Sequence, residues 1–453
     1  MHYERPIHQP VGWVHSLCTQ GGGGVSGKSP RCVLYNSASP SSGPSRVVST
    51  RSSTRDHDLA RDIAQQLELR AATRRVGPRV MQQTDSDVLG AAPAIAARSL
   101  RAVKVGVSLL TLVPGEIGGA ETYARGLARG LAEAGRLDYT AFVPPVASGA
   151  GEGLPEVLVS EYRRAHSVPE RALAMAAAAL RPGPLRRRYE GVEIVHYPLT
   201  IAVPTLRLPS VVTVHDLQHL DLPHLFGRSE RLFRRRAHEG SARRAEAVIV
   251  PSQFVRRSVV EHLGLPPDRV HAIPHGIDHE RFRPGPEQRE PFLLYPGRPW
   301  PHKNHARLFE ALTLLRRERP QLELVLTGGG HEGRAVPPGV RVEGQVTPEE
   351  LVSLYRRAAC LVFPSLYEGF GQPPLEAMAC GCPVAASRAA AIPEAVGDAA
   401  ALFDPADAED MAAVVSAVLE SPERFVRAGL ERASGFTWAE TARRHEQVYR
   451  SIR

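Results

Sequence analysis

Two glutamates, Glu368 and Glu376, stand eight positions apart in the segment FPSLYEGFGQPPLEAMACGCPV. Between them lie Gly369 and Gly371, whose missing side chains let backbone amides approach a ligand closely, and two prolines then suit the start of a helix. A helix N-terminus favours anionic groups, so a diphosphate can rest on these amides. We predict that Glu376, in the first turn of this helix, accepts hydrogen bonds from a sugar diol. Each glutamate alone also fits a helix-dipole or a solvated role; together they indicate a nucleotide-sugar site.

The loop from Gly297 to Asn304, GRPWPHKN, brings cations to the same site, because it follows an apolar strand. Arg298 can bind a diphosphate through its planar fork and Lys303 as a compact charge. Only three of the 56 basic residues are lysines, which makes Lys303 distinctive, although a solvated surface lysine is the alternative interpretation. A glycine triplet that starts at Gly328 follows another strand and permits close backbone approach, unless it is an ordinary turn.

Residues of the N-terminal half supply the acceptor side of the expected site. His215 and Asp216 follow the apolar strand SVVTV, so they lie at its carboxyl end, where open parallel sheets bind ligands. We expect His215 to hydrogen-bond a sugar hydroxyl or an oxyanion; a purely structural histidine is the alternative. Gly118 and Gly119 offer backbone amides at a helix start, and Glu121 lies in the first turn of that helix.

Strands and helices that alternate along the chain would position these loops. The predicted strands of the N-terminal half are 103–110, 139–143, 193–197, 210–214, 247–250 and 270–273. The predicted strands of the C-terminal half are 292–295, 322–327, 360–363 and 383–385, with helices at 304–317 and 348–358. This alternation predicts an α/β protein with two Rossmann-like, doubly wound parallel-sheet domains that face a cleft.

The domain boundaries follow from composition. A Ser-, Gly-, Pro- and Arg-rich stretch at 1–100 reads as a disordered extension, or as sequence translated upstream of the true start. The proline-rich stretch 281–291 reads as a linker. We therefore predict an acceptor domain at 101–285, a donor domain at 286–436, and a C-terminal helix at 437–453 that crosses back to the N-terminal domain.

Composition excludes several classes of protein. The 453 residues are 43% hydrophobic and 23% charged, which is ordinary for a globular protein, and no apolar run reaches the roughly 20 residues that span a bilayer. Without an apolar signal-peptide core, the expected location is the cytoplasm. Residues 1–100 carry +5 of the net charge of +8, so the remainder is mildly basic and we expect no nucleic-acid binding. The five cysteines are expected to be reduced thiols, and Cys380 and Cys382 are spaced too closely for a common metal motif.

Two further segments carry patterns that suggest a function. GGGVSGKS at 22–29 satisfies a phosphate-loop pattern literally, but Pro30 follows at once and no helical repeat comes after it, which disfavours a P-loop NTPase. The Arg-rich stretch 162–190 surrounds an alanine-rich helix. We predict that it contacts an anionic membrane surface on the inner face, with a solvated basic face as the alternative.

The motifs GGAETYARGLA, VHD, IPHGID, GRPWPHKN and EGFGQPPLEAMACGCPV resemble the retaining nucleotide-sugar glycosyltransferases of the GT-B fold, in particular the large bacterial group with an E-x7-E motif. The resemblance covers residues 102–453. It implies that Arg298 and Lys303 bind the diphosphate, that Glu376 binds the ribose hydroxyls, and that His215 lies by the transferred sugar. It also implies that Glu368, Gly369, Phe370 and Gly371 lie near the donor hexose, and that the backbone near Gln345 and Val346 contacts the base.

The same resemblance implies an activity. The donor would be a nucleotide diphosphate sugar, the acceptor a saccharide or a lipid-linked saccharide, and neither a metal nor another cofactor would be required. The WPHKN form is most similar to mannosyltransferases of surface polysaccharide pathways, although Gln372 replaces the more usual leucine. Retention would proceed on one sugar face, with a donor phosphate oxygen taking the acceptor's proton. The alternatives are a nucleotide-sugar epimerase or phosphorylase of this architecture, and a non-catalytic sugar-nucleotide binder.

Overall fold

The computed structural model describes residues 103–162, 170, 173–175, 177–178, 182–331 and 333–453. The N-terminal extension, the GGGVSGKS segment and part of the 162–190 stretch lie outside the described residues. Among those described, seven parallel strands form a first sheet in the order β3-β2-β1-β4-β5-β6-β7. Its strands are β1 Lys104–Ser108, β2 Asp138–Val143, β3 Glu156–Leu158, β4 Ile194–Tyr197, β5 Ser210–Thr213, β6 Ala247–Val250 and β7 Val270–Ala272.

A second parallel sheet of six strands follows in the order β10-β9-β8-β11-β12-β13. Its strands are β8 Glu290–Pro296, β9 Glu323–Thr327, β10 Val340–Gly344, β11 Ala358–Phe363, β12 Val384–Ser387 and β13 Ala401–Phe403. Each sheet packs on its own apolar core, with Val107, Val195 and Val248 in the first and Leu294, Val325 and Val362 in the second all buried. The predicted fold class is therefore confirmed.

Thirteen described helices cover these sheets, and those predicted at 304–317 and 348–358 are found at His305–Glu318 and Pro348–Arg357. The thirteen are α1 Gly119–Ala134, α2 Pro182–Arg188, α3 Gln218–Asp221, α4 Arg228–Arg234, α5 Gly240–Arg244, α6 Gln253–Leu263, α7 His305–Glu318, α8 Pro348–Arg357, α9 Gln372–Ala379, α10 Ile392–Val396, α11 Ala408–Glu420, α12 Pro422–Ser434 and α13 Trp438–Ser451. Thr347 caps α8 in a capping box with Glu350, as the local sequence TPEE predicts. None of the described helices is long and apolar enough to cross a membrane.

Three strands, β3, β10 and β13, escaped the sequence analysis. Each is the outermost strand of its sheet, and each is only partly buried. An edge strand has one open side, so it lacks the continuous apolar run by which a central parallel strand is recognised. The central strands, in contrast, were all predicted.

The C-terminal helix α13 packs on α1 of the N-terminal half. Two glycines of α1 allow this approach, because a Cβ on Gly126 would collide with the Trp438 ring and one on Gly130 would lie 2.6 Å from the Trp438 carbonyl oxygen. A buried polar network then joins the two helices to the sheet. Its hydrogen bonds run from Tyr449 to His196 (2.8 Å), from His196 to Thr213 (2.8 Å), from Thr213 to Tyr123 (2.9 Å) and from Tyr123 to His445 (2.8 Å).

Candidate functional site

The site lies where the order of the second sheet reverses. β8 lies between β9 and β11 in the sheet. The chain passes from β8 to β9 on one side, whereas it passes from β11 to β12 on the other side. The loops that follow β8 and β11 therefore run in opposite directions and leave a crevice between them. Ligands of open α/β sheets bind at this switch point. The loop after β8 carries Arg298 and Lys303, and the loop after β11 carries Glu368. The fold thus brings together the two segments in which the sequence concentrates its charged candidates.

Lys303 and Glu368 form an ion pair in this crevice. The Lys303 ammonium lies 2.6 Å from Glu368 Oε1, and the two side chains are only 14% and 18% exposed. The ammonium also lies 5.7 Å from the centre of the Phe363 ring. Coulomb attraction is strong at such partial burial, so each charge holds the other in place. An anionic ligand at this position would share the ammonium with the carboxylate.

A set of hydrogen bonds beneath the pair makes its backbone rigid. Tyr295, buried at the end of β8, donates its hydroxyl proton to the Lys303 carbonyl at 2.9 Å. Asn304 has a left-handed backbone, with φ of 60°, and its side-chain amide donates to Pro364 O at 3.1 Å and to Pro405 O at 2.8 Å. The loop that carries the cation is therefore tied to the loop that carries Glu368. Such second-layer support keeps a binding group in one geometry.

Arg298 reaches across to the N-terminal half. Its Nη2 donates to the Gly115 carbonyl at 3.1 Å, and its guanidinium lies 5.8 Å from the Trp300 ring centre. The two residues border a cavity of about 400 Å³ that also includes Gly329 and Gln345. This volume is within the range of small-molecule sites. Gln345, which the resemblance places near the base, thus shares one cavity with Arg298.

The glycines of these loops have the roles expected of close backbone approach. Gly328 has φ of +109°, a conformation that L side chains rarely adopt, and its amide donates to Gly344 O at 2.7 Å. A Cβ there would lie 3.3 Å from the Arg298 nitrogen. Val346 is half-buried against the apolar core beside this turn. The turn at Gly328 therefore lies against the loop that carries Arg298.

Helix α9 begins at Gly371 and Gln372 rather than at the prolines. Gly371 is the N-cap residue, with φ of +119°. Pro373 and Pro374 occupy the second and third helical positions and have no N–H, so the amides at this helix start come from Gly371 and Gln372. The prediction of a helix N-terminus after the glycine loop is confirmed. Because of the two prolines, this N-terminus offers fewer backbone N–H donors than that of a helix without prolines.

Glu376 lies one position deeper in the helix than predicted. It is the fifth residue of α9, and no acidic residue occupies the first turn, so the prediction of a first-turn glutamate was wrong. The side chain is buried, and the Tyr355 hydroxyl donates to its Oε2 at 3.2 Å. Burial raises the pKa of Glu376 to about 7, against the opposing effect of hydrogen bonds from Tyr355 and Gln372. The carboxyl is consequently poised to change its charge near neutral pH.

Gln372 connects this carboxylate to the segment between the two halves. Its Nε2 donates to Gly276 O at 3.2 Å, and its Oε1 lies 3.3 Å from His275 Nδ1. The same side chain acts to lower the pKa of Glu376, against the effect of burial. A leucine at this position would provide none of these bonds. The departure from the usual residue therefore links the interdomain segment to the buried glutamate.

His215 enters the cleft from the N-terminal half as a neutral group. Its Nε2 donates to the Pro198 carbonyl at 2.9 Å, and burial lowers its pKa. With the proton on Nε2, the other ring nitrogen has a lone pair, so His215 can accept a hydrogen bond from a sugar hydroxyl but cannot donate one to an oxyanion. Asp216 Oδ1 accepts a hydrogen bond from the backbone N–H of Gln218 at 3.1 Å, which stabilises the turn that follows.

The predicted acceptor residues near α1 have structural partners. Gly118 is the N-cap of α1, with φ of 60°, and Gly119 is the first helical residue. Glu121 accepts from the Gly115 amide at 2.8 Å and from Arg125 Nε at 3.0 Å. Because both oxygens are engaged, we infer that Glu121 holds the Gly115 turn, whose carbonyl in turn binds Arg298. Its effect on a ligand is then indirect.

Several contacts bring the two halves together around the Glu368 loop. A Cβ on Gly369 would collide with the His215 carbonyl oxygen, so only glycine permits this approach. Ser252 donates to Gly369 O at 2.8 Å, and the Tyr367 hydroxyl donates to Asp221 Oδ2 at 2.7 Å. The predicted donor and acceptor sides are therefore in direct contact at Gly369 and His215.

Sequence reasoning missed several residues of this site. Trp300 is 50% exposed beside Arg298, and an exposed tryptophan in a cation-rich loop is a signal that was present in the sequence. Tyr355 left no such signal, because it reaches the site from another helix. No group of three His, Cys, Asp or Glu side chains that could hold a metal ion occurs within the described part of the chain.

Two family models match this chain. Residues 276–432 match the model described as "Glycosyl transferases group 1", and residues 117–281 match "Glycosyltransferase Family 4". The first region contains all the donor-side loops described above. The second contains the start of α1, His215 and Asp216.

Curated relatives agree with these matches. The chain is 31% identical over 254 residues to the O-antigen chain mannosyltransferase B of Escherichia coli, an alignment that covers 51% of this chain and 67% of that protein. It is 32% identical over 224 residues to an MMP alpha-(1->4)-mannosyltransferase of Mycolicibacterium hassiacum, covering 46% of this chain and 54% of the relative.

A solved structure shows the same fold. The sucrose-phosphate synthase of Thermosynechococcus elongatus superposes with a TM-score of 0.63 at 22% identity, over 77% of this chain and 99% of that one. At this identity the likeness concerns the fold alone. Taken with the two family models and the relative at 31% identity, it leads to one conclusion: this chain belongs to the group 1 glycosyltransferases and has the GT-B fold.

Proposed function

We propose that this glycosyltransferase moves a mannose residue from a nucleotide diphosphate sugar to a saccharide or lipid-linked saccharide acceptor, with retention of the anomeric configuration and without a metal ion. The observation that carries the proposal is the Lys303–Glu368 ion pair at the switch point of the second sheet. Arg298 lies on the same loop as Lys303, and the backbone of His215 approaches Gly369 from the N-terminal half. Mannose is favoured because the two curated relatives described above, at 31% and 32% identity, are mannosyltransferases.

The cations of the site would stabilise the departing nucleoside diphosphate. As the bond between the sugar C1 and the phosphate oxygen breaks, negative charge grows on the diphosphate. Lys303, Arg298 and the amides at the start of α9 are preorganised donors for that charge. Removal of one such donor typically costs about 10²–10³-fold in rate. Two positive side chains at this place supply the role that a divalent cation has in other sugar transferases, which supports metal independence.

The acceptor would attack on the face that the leaving group vacates. The new bond joins C1 to the acceptor oxygen, and the acceptor's proton passes to a phosphate oxygen of the leaving diphosphate, so that charge and atoms balance. Glu368 is an unsuitable covalent nucleophile because its Oε1 is held by the Lys303 ammonium at 2.6 Å. A role in orienting the donor hexose fits this geometry better.

The recognition of the donor would divide among three side chains. His215 accepts a hydrogen bond from a hydroxyl of the transferred sugar through the nitrogen that is not bonded to Pro198 O. Glu376 accepts from the ribose hydroxyls in its ionised form. The base would lie near Gln345, in the cavity that Arg298 borders.

The test starts with binding and ends with stereochemistry. Calorimetry with GDP, UDP, dTDP and ADP should detect one preferred nucleotide, and the matching mannose donor should then glycosylate an oligomannose acceptor. Proton–carbon coupling at the new anomeric centre should show the configuration of the donor. No nucleotide binding at all, or an inverted product, would overturn the proposal.

Controls separate the alternatives. Incubation of the donor without acceptor should leave the sugar unchanged, since an epimerase would convert it. A chain that is protected by the donor in thermal melts yet never turns over, with any acceptor tried, would be a non-catalytic binder. Addition of EDTA should leave the rate unchanged.

A further inference from the structure

Two large apolar side chains are exposed beside the ion pair of the candidate site. Trp300 is 50% exposed and Leu366 is 40% exposed, which places both among the few large apolar side chains that the described part of the chain leaves to solvent. Trp300 comes three residues before Lys303, and Leu366 comes two residues before Glu368. Single exposed apolar residues are common, but two that flank one ion pair form an apolar patch at a place where a ligand is expected.

His302 joins these two side chains into one surface. Its ring centre lies 5.7 Å from that of Trp300, and the two ring planes are inclined by 37°. The His302 carbonyl accepts a hydrogen bond from the Leu366 amide at 2.8 Å. The three residues therefore lie side by side across the loops that follow β8 and β11. The surface formed by Trp300, His302 and Leu366 is here called the Trp300 strip.

The Trp300 strip faces the N-terminal half of the chain. Trp300 borders the cavity of about 400 Å³ together with Gly115 and Glu116, which belong to the turn that leads into α1. Burial lowers the pKa of His302, and the Asp216 carboxylate acts against this effect, so Asp216 lies within electrostatic reach of the strip. Both contacts are with segments that carry the predicted acceptor residues. The strip is therefore opposite the expected acceptor wall.

Carboxylates border this apolar surface. The Glu116 side chain is exposed, and its carboxylate forms no hydrogen bond or ion pair with any of the described residues. Asp216 uses only Oδ1, on the backbone N–H of Gln218, so its second oxygen can accept a further hydrogen bond. A pyranose ring has C–H groups on its faces and hydroxyl groups around its edge. It therefore fits an aromatic and aliphatic platform that has hydrogen-bond acceptors beside it.

We propose that the Trp300 strip is a second saccharide subsite, which binds the sugar unit next to the reacting unit of the acceptor. Acceptors of two or more sugar units then bind more tightly than a single sugar. This inference rests on the proposed transfer to a saccharide acceptor and extends it.

A nucleobase beside Gln345 is the rival occupant of this surface, because Gln345 and Trp300 border the same cavity. His302 and Leu366 do not border that cavity, so a base bound there would leave most of the strip uncovered. A saccharide chain is long enough to cover the whole strip. The extent of the apolar surface therefore favours the saccharide.

The length of the acceptor tests the proposal. With saturating donor, the unmodified chain should use methyl α-mannotrioside with a kcat/KM about tenfold or more above that for methyl α-mannoside, because only the longer acceptor reaches the strip. Trp300→Ala should reduce this preference by about tenfold, and Leu366→Ser should reduce it by about threefold. Trp300→Phe keeps an aromatic ring and should keep most of the preference.

Leu158→Ser is the matched control. Leu158 is 48% exposed on the edge strand β3, so its replacement removes a similar apolar surface away from the strip. This variant should prefer the mannotrioside as strongly as the unmodified chain does. Circular dichroism melts should show that every variant is folded.

Tryptophan fluorescence measures the binding without turnover. Trp438 is buried, whereas Trp300 is exposed and should respond to a ligand that covers it. In a buffer that contains UDP and GDP, methyl α-mannotrioside should shift the emission to shorter wavelength, and Trp300→Phe should remove the shift. A shift without any sugar transfer would refute the proposed function and leave the subsite in place. Transfer without a shift would refute the subsite alone.

The kinetic outcomes decide in the same way. The subsite is refuted when acceptor length has no effect on kcat/KM, and also when Leu158→Ser loses as much of the preference as Trp300→Ala. If Trp300→Ala instead raises the KM for the donor and leaves the preference for the longer acceptor unchanged, Trp300 stacks on the nucleobase and the proposal is wrong.

Discussion

The ion pair between Lys303 and Glu368 offers the sharpest test of the site. Lys303→Met removes the ammonium and preserves the length of the side chain. Because Glu368 is only 18% exposed, its carboxylate then remains mostly buried without a counter-charge. Breaking one partner of a buried pair costs about 3–5 kcal/mol, and the partial exposure here places the expected loss at about 3 kcal/mol.

The same change should also slow the transfer reaction. If the ammonium stabilises the leaving diphosphate, kcat/KM should fall by about 10²–10³-fold, which corresponds to about 3–4 kcal/mol. A loss of activity alone would therefore be ambiguous, because an unstable variant loses activity as well.

The double variant Lys303→Met/Glu368→Gln resolves this ambiguity. Neutralising the carboxylate removes the unpaired charge, so urea unfolding should show stability close to that of the unmodified chain. Transfer should stay at least 100-fold slower, since the leaving group still lacks its cation. The measurements are urea midpoints and steady-state kinetics with saturating acceptor. If the double variant regains near-normal kcat/KM, Lys303 serves only to neutralise Glu368 and the proposed catalytic role is refuted.

Three further predictions follow from other parts of the structure. Glu376 has a pKa of about 7 in the folded protein and of 4.5 in an unfolded chain. Between these two pH values the folded protein keeps the carboxyl proton and the unfolded chain loses it. The free energy of unfolding should therefore fall as pH rises from 4.5 to 7. In Glu376→Gln the free energy of unfolding should differ less between pH 5 and pH 8, as urea titrations can measure. An equal difference in the variant and the unmodified chain would contradict the raised pKa of Glu376. Burial lowers the pKa of His445 to about 4, so the folded protein should lose stability as pH falls from 6.5 to 4. His445→Gln should reduce this loss, as thermal melts at several pH values can measure. Equal changes of melting temperature with pH in both proteins would contradict the lowered pKa. Gly369→Ala places a Cβ against the His215 carbonyl and should lower turnover by about 100-fold with unaltered secondary structure, as kinetics and circular dichroism can show. Normal turnover would mean that this contact does not belong to the active arrangement.

The sequence by itself determined those features that depend on neighbouring residues. Thr347 and Glu350 form a capping box because the cap and its partner are three positions apart. The central strands could be predicted because a strand buried on both faces must be apolar throughout. The glycine loop with its helix start could be recognised because glycine and proline restrict the backbone locally.

Only the tertiary structure decided the states of the charged groups. The partners of Lys303 and Arg298 lie 65 and 183 positions away, and no local pattern specifies which of many distant groups a side chain will meet. The burial of Glu376 depends on Tyr355, which belongs to another helix. The exposure of helix α4 is likewise decided by the tertiary structure, in which none of its residues is buried. Residue types along the chain therefore predict which charged side chains the site contains. The pKa, the ion-pair partner and the exposure of each side chain depend on packing between residues far apart in sequence, which the sequence alone does not specify.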